Sequence, residues 1–125
     1  MMHHSRLLWA MAILELLAGL ALLLVPHLAL AVLLGTPQPA AETIGVSRLA
    51  GVALLAIAVM CGWSTGDAPS RGLLAGLLVY NVGACVALAY SGAGLGLSGP
   101  LLWPAVLLHA ALTMWTLVGL KSTTR

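Results

Sequence analysis

Residues 7–25 read LLWAMAILELLAGLALLLV, and this stretch decides the fold class of the chain. Glu15 is its one charged residue, and every other side chain is apolar. A helix rises about 1.5 Å per residue, so a run of this length is matched to the roughly 30 Å hydrocarbon layer of a bilayer. The stretch therefore predicts a membrane-spanning helix that stays in the mature protein and is not removed as a signal peptide.

Three further apolar stretches follow at residues 44–63, 72–90 and 101–120. The composition of the whole chain also favours membrane spans. Of its 125 residues, 62% are hydrophobic and only 6% are charged, and the mean hydropathy is +1.10. In soluble domains about a quarter of the residues carry charge. We therefore expect an all-α, polytopic membrane protein whose single domain is a four-helix bundle.

The first span has an ambiguous end. A helix continuing to Leu34 would measure about 42 Å, longer than the hydrocarbon layer, and Pro26 cannot donate a backbone hydrogen bond within it. The sequence favours a break at Pro26 and a short interfacial or partly re-entrant helix over residues 27–34. One long, tilted and kinked first helix is the alternative.

The few basic residues predict the orientation. Arg6, Arg71, Lys121 and Arg125 all fall on one side of a four-span bundle, whereas the other side holds only Arg48, itself within the second span. Basic residues collect on the cytoplasmic side of membrane proteins. We expect a protein of the inner (plasma) membrane with both termini in the cytoplasm.

Each predicted span contributes one polar residue that is a candidate for function within the hydrocarbon layer. Measured from the cytoplasmic boundary, Glu15 lies at a depth of about 12 Å, Asn81 at about 14 Å and His109 at about 16 Å, while Arg48 lies at about 22 Å. Buried polar residues of membrane helices are commonly functional and face the bundle interior. These four residues are the candidates for ligand binding or proton coupling.

Small residues indicate that the charged pair points inward. Glu15 shares a helix face with Gly19, and Arg48 shares one with Gly51, as helix contacts in membranes require. An isolated charge in hydrocarbon costs several kcal/mol, so a carboxylate there either takes up a proton or finds a partner. Pairing of Glu15 with Arg48 is the expectation.

The fourth span offers secondary candidates. Thr113 and Thr116 share the face of His109 and extend a polar stripe toward the cytoplasm. His27 and His109 differ in depth and lack a supporting motif, which leaves haem binding as a minor hypothesis. No metal site is predicted.

Several function classes are excluded or unsupported. Five basic residues are too sparse for a nucleic-acid surface. No nucleophile elbow, phosphate-binding loop or HExxH motif is present, so no catalytic residue is predicted. The expected partners are the lipid bilayer and further copies or a larger membrane complex, and Gly72 with Gly76 forms a small-residue pair suited to close helix packing.

Two segments resemble small four-helix bacterial membrane proteins of the DoxX-like type. They are the first span from Glu15-Leu16-Leu17-Ala18-Gly19 to Val25-Pro26 and the second from Arg48-Leu49-Ala50-Gly51. The resemblance implies a four-helix bundle acting alone or as an accessory to a membrane redox or biosynthetic assembly, and no activity carries over.

A second resemblance is to small multidrug-resistance transporters, which have four short spans and one proton-coupling Glu in the first. Glu15 in Ala12-Ile13-Leu14-Glu15 matches that position. The basic bias that fixes one orientation here, and the intramembrane Arg and His, depart from that family. Proton-coupled transport is therefore the alternative to a non-catalytic accessory or ligand-binding bundle.

The sequence leaves two interpretations of the polar residues open. In one, they form a buried network that fixes helix register, with each interhelical hydrogen bond contributing about 0.6 to 2 kcal/mol. In the other, they line a small cavity in which Glu15 or His109 holds a ligand or exchanges a proton. A cavity between the helices would distinguish the two.

Overall fold

A computed structural model describes residues 2–66 and 69–122, and these segments contain five helices and no strand. Arg125, one of the basic residues that predict the orientation, lies outside the described residues. The helices follow in chain order as α1 (Met2–Leu24), α2 (Pro26–Leu34), α3 (Ala41–Trp63), α4 (Arg71–Ala93) and α5 (Leu102–Ser122).

The predicted break at Pro26 is confirmed. The first helix ends at Leu24, and Pro26 occupies the start of α2, where its missing N–H would have no helical partner. Gly35 then ends α2 in the left-handed conformation, with φ of 74°, which a side chain would disfavour. Its neighbours across the bundle are backbone atoms of Ser98 and Gly99, so the turn also needs the space that glycine leaves.

The starts of α3 and α4 are stabilised in different ways. The residue before α3, Ala40, makes no side-chain cap, but Glu42 lies in the first turn of α3, where its charge complements the helix dipole. Ser70 caps α4, because its side-chain oxygen accepts a hydrogen bond of 3.1 Å from the backbone nitrogen of Leu73. The two long helices therefore begin where the sequence supplies the appropriate end groups.

Four helices are long and apolar enough to cross a membrane. The candidate spans are His4–Leu24, Ala41–Trp63, Arg71–Ala93 and Leu102–Lys121, with mean hydropathies between 1.5 and 2.4. Their outer surfaces carry exposed aliphatic side chains such as Leu49, Val79 and Leu107, each at least 70% exposed. This is the architecture of a multi-pass membrane protein.

The four long helices associate as two antiparallel pairs, α1 with α3 and α4 with α5. In the first pair the backbones nearly touch, since a Cβ atom added at Gly51 would lie 2.8 Å from the carbonyl oxygen of Gly19. Ser47 adds a hydrogen bond of 3.4 Å to the carbonyl oxygen of Leu22. We call this contact the glycine seam.

The close packing within the bundle is not at the predicted pair of glycines. Gly72 and Gly76 are exposed on α4, and no other helix lies within 4 Å of a Cβ added at Gly76. Gly19 and Gly51 instead bring two helices together, because both lie on faces turned toward each other. Packing of Gly76 against another protein chain stays a prediction.

The buried core lies toward the end of the bundle that holds the N-terminus. His4 reaches the end of α5 there, with its Nε2 atom 3.2 Å from the carbonyl oxygen of Gly119. We call this the terminal end and the opposite one the α2 end. The core residues from four helices are Leu7, Leu8, Met11, Ala12, Cys61, Leu74, Leu77 and Leu112.

Candidate functional site

A cavity of about 680 Å³ lies between the two helix pairs. All five helices contribute to its wall, but α3 provides only Leu54. At the α2 end, the cavity is bordered by Leu28, Val32 and Leu101, and the backbone nitrogen of Leu101 donates a 3.0 Å hydrogen bond to Val32. This hydrogen bond joins the short helix to the residue that precedes α5.

The cavity wall is almost entirely apolar. Among the described residues that line it, three carry a polar side chain, namely Glu15, Tyr80 and His109. They lie at the edge nearest the terminal end, and the wall from there to α2 consists of aliphatic residues and one proline. The site thus has a long apolar chamber with a polar group at one end.

Glu15 is held by a residue of the opposite helix pair. Its side chain is 3% exposed, and its Oε2 atom accepts a hydrogen bond of 2.7 Å from the phenolic hydroxyl of Tyr80. This short bond joins α1 to α4 across the cavity. When the carboxyl group is ionised, such a bond is charge-assisted and stronger than one between neutral groups.

His109 is oriented by Asn81 from the neighbouring helix. Its Nδ1 atom lies 2.9 Å from the Oδ1 atom of Asn81, and the Asn81 side chain is fully buried. The Nδ2 atom of Asn81 donates to the carbonyl oxygen of Leu77 at 2.8 Å and to the sulfur of Met11 at 3.7 Å. Asn81 is thus a buried anchor behind the cavity wall.

An aromatic contact connects these two hydrogen-bonded pairs. The rings of Tyr80 and His109 meet edge to face, with centroids 5.6 Å apart and planes at 83°. Edge-to-face contact is a favourable arrangement for aromatic rings. Glu15, Tyr80, His109 and Asn81 therefore form one chain of contacts, which we call the polar relay.

The structure brings together three of the four predicted candidates, and Arg48 is the exception. The expected pairing of Glu15 with Arg48 is wrong, because Tyr80 is the partner of Glu15 and Arg48 is exposed on α3. The buried residues Ser47 and Gly51 face α1 on either side of it. Arg48 therefore points away from the helix on which Glu15 lies.

The secondary candidates do not extend the site. Thr113 and Thr116 donate to carbonyl oxygens of their own helix, those of His109 and Leu112, at 2.8 and 2.7 Å. Neither lines the cavity, so the predicted polar stripe toward the terminal end is satisfied within α5. His27 is exposed on α2 and also lies outside the cavity wall.

The positions of the histidines bear on the haem hypothesis. His109 lines the cavity whereas His27 is exposed on α2, so the two do not form a ligand pair around a common space. Within residues 2–66 and 69–122, no group of three or more His, Cys, Asp or Glu side chains could hold a metal ion. Both cysteines in this part of the chain are unpaired thiols, Cys61 and Cys85.

Tyr80 is the site residue that the sequence analysis missed. Its position was informative, because it lies eight residues after the start of the predicted third span, at a depth of about 12 Å, the same as that of Glu15. A tyrosine hydroxyl so far from either boundary needs a hydrogen-bond partner. Listing tyrosines with the other mid-span polar residues would have found it.

The polar relay offers hydrogen-bonding atoms to the cavity. No fully buried side-chain nitrogen or oxygen among the described residues lacks a partner. Oε1 of Glu15 and Nε2 of His109 have no partner within this part of the chain, so neither atom is fully buried, and both residues line the cavity. Comparison of the chain with family models, curated proteins and solved structures gave no match.

Proposed function

We propose that this protein is a non-catalytic, four-span membrane protein that binds a small amphiphilic molecule in its intramembrane cavity. The observation that carries the proposal is the chamber of about 680 Å³ with Glu15, Tyr80 and His109 at one end. Ligand sites are typically 300–1,000 Å³, mostly apolar, with a few polar groups that orient the ligand. A network that only fixed helix register would not need this space.

The proposal places the protein in the inner membrane with both termini in the cytoplasm. It is supported by the basic residues at the terminal end, where Arg6 and Lys121 lie on α1 and α5 and Arg71 begins α4. In this orientation α2 lies at the outer boundary of the bilayer. A ligand would then enter from the membrane or from its outer face.

The DoxX-like resemblance belongs to the same proposal. The segments that carry it contain Gly19 and Gly51, the two residues that meet in the glycine seam. A bundle of this type would act alone or as the accessory subunit of a larger membrane assembly, supplying or holding the bound molecule.

Native mass spectrometry of protein purified gently from its own membranes tests ligand binding. The wild-type protein should retain a small apolar molecule, and Ala84→Phe should lose it, because Ala84 lines the cavity. Ala75→Phe is the matched control, since Ala75 is exposed on the same helix and does not line the cavity. A molecule bound equally by both variants, or by neither variant nor the wild type, would contradict the proposal.

Proton-coupled transport is the second candidate, favoured by the accessible Oε1 atom of Glu15 in the cavity wall. A carboxyl group there could exchange a proton for a substrate, as the resemblance to small multidrug-resistance transporters implies. Glu15→Gln should then abolish substrate-driven proton release from liposomes while the protein stays folded. Unchanged proton release in this variant would exclude the transport mechanism.

A further inference from the structure

The hydrogen bonds around Asn81 determine which end of its amide faces His109. Its Nδ2 atom lies 2.8 Å from the carbonyl oxygen of Leu77, and a carbonyl can only accept, so the NH₂ group must be on that side. The amide oxygen Oδ1 therefore faces the imidazole, 2.9 Å from Nδ1. Exchanging the two amide atoms would place two acceptors against each other at Leu77.

This orientation fixes the proton of the neutral His109 ring. An amide oxygen accepts hydrogen bonds, so the Nδ1 atom of His109 must donate and carries the proton. Neutral imidazole has only one N–H, which leaves Nε2 with a lone pair. The accessible nitrogen of His109 is therefore an acceptor.

Glu15 does not remove this requirement in either of its protonation states. As a carboxylate it offers only acceptors, and Oε2 already accepts from Tyr80. As a carboxylic acid it offers one donor, which a ligand oxygen can accept while still donating to His109. In both states a ligand hydroxyl can donate to Nε2 of the imidazole, whereas a ligand that can only accept offers that atom no donor.

We propose that the cavity selects apolar molecules whose head donates a hydrogen bond, in the simplest case a hydroxyl, to Nε2 of His109. Asn81 is the positioning residue that sets this preference from behind the wall. The inference rests on the proposed function, because it names the chemical class of the molecule in the chamber. Ethers and esters of the same size, which can only accept, are disfavoured.

Two isomeric probes test this preference, decanol and methyl nonyl ether. They have the same atoms and similar size, but only the alcohol can donate. Histidine-¹⁵N-labelled protein in phosphatidylcholine nanodiscs, at mildly alkaline pH, reports both the tautomer of His109 and the binding of each probe, with His109→Gln used for assignment. We expect Nε2 to be unprotonated and decanol to bind about tenfold more tightly than the ether at equal membrane mole fraction.

Asn81→Leu provides the gain of binding that a misfolded variant cannot imitate. Without the amide oxygen, the proton can move to Nε2, which then donates to the ether. We expect the ether to bind more tightly to this variant than to the wild type, so that the tenfold preference for decanol falls to near one, with the Nε2 resonance changing to that of a protonated nitrogen. Ser47→Ala is the control, because it removes a buried hydrogen bond in the glycine seam and should keep both the tautomer and the preference.

Each outcome is decisive for the inference. A protonated Nε2 in the wild type, or equal binding of the two probes, overturns the donor preference and leaves the ligand-binding function in place. If neither probe binds, the inference also falls, and the Ala84→Phe comparison decides the proposed function separately. If Asn81→Leu does not fold, the wild-type tautomer and the ratio of the two probe affinities decide the inference.

Discussion

The glycine seam and the polar relay are two contacts between helices of this bundle, and they differ in what they leave between the backbones. At Gly19 and Gly51, α1 and α3 leave no room even for a methyl group. At Glu15 and Tyr80, long side chains bridge the two helix pairs beside a cavity of about 680 Å³. The seam is therefore a contact that packs two backbones together, whereas the relay lies beside the cavity in which we propose that a molecule binds.

The largest expected effect comes from breaking the glycine seam. Gly51→Ala places a Cβ atom 2.8 Å from the carbonyl oxygen of Gly19 and 2.9 Å from the backbone nitrogen of Leu23, and backbone atoms cannot rotate away. Overpacking of this kind costs about 1–3 kcal/mol, and we expect a loss of about 3 kcal/mol. Reversible unfolding in detergent mixtures measures it.

Gly45→Ala on the same helix is the matched control. A Cβ atom there meets nothing within 4 Å, so the variant should unfold at the same or slightly higher denaturant concentration. Equal destabilisation by the two alanines would mean that α3 is sensitive to its own backbone flexibility rather than to contact with α1.

The next effect comes from the buried anchor of the polar relay. Asn81→Leu removes the bonds to His109 and Leu77 and leaves the imidazole N–H without its partner. Loss of a buried partner costs about 1–3 kcal/mol, and we expect about 2 kcal/mol by the same unfolding assay. Thr116→Val is the comparison, because it removes a buried hydroxyl, and it should cost less since Thr116 bonds only within α5. An equal cost for both would show that Asn81 is not the anchor of the site.

Much of the fold and of the polar relay can be predicted from the sequence, because helix breaks and membrane spans depend on residues that are near each other in the chain. Pro26 ends the first helix through its own missing N–H, and the apolar lengths of the four spans follow from hydropathy alone. Glu15, Asn81 and His109 were placed at similar depths by counting residues along helices. Their grouping follows from those depths and from burial of polar groups inside the bundle.

The error at Arg48 has a geometric cause. Each residue turns a helix by about 100°, so Arg48 lies about 60° from Gly51 around α3. Gly51 and Ser47 make the contact with α1, and Arg48 lies at the side of that contact with its side chain exposed. Residue spacing alone could not show which positions on this face α1 would cover.

Tyr80→Phe separates the hydroxyl from the ring. It removes the 2.7 Å bond to Glu15 but keeps the edge-to-face contact with His109, so we expect a loss of about 1 kcal/mol. Tyr90→Phe on the same helix is the control, because Tyr90 is exposed and should change stability little. If both variants behave alike in the unfolding assay, the bond to Glu15 does not contribute to the fold.

The smallest effect is expected at Arg48. Here pairing of Glu15 with Arg48 and pairing of Glu15 with Tyr80 predict the most different results. A buried pair with Glu15 would make Arg48→Gln cost about 3–5 kcal/mol, because the carboxylate would lose its partner. With Tyr80 bonded to Glu15 and Arg48 exposed, we expect a change within about 0.5 kcal/mol. Glu15→Gln and the double variant with Arg48→Gln complete the test in the same assay. Their effects on the free energy of unfolding should add, because Glu15 bonds to Tyr80 and not to Arg48. A cost of the double variant that differs from the sum would require a contact between Glu15 and Arg48.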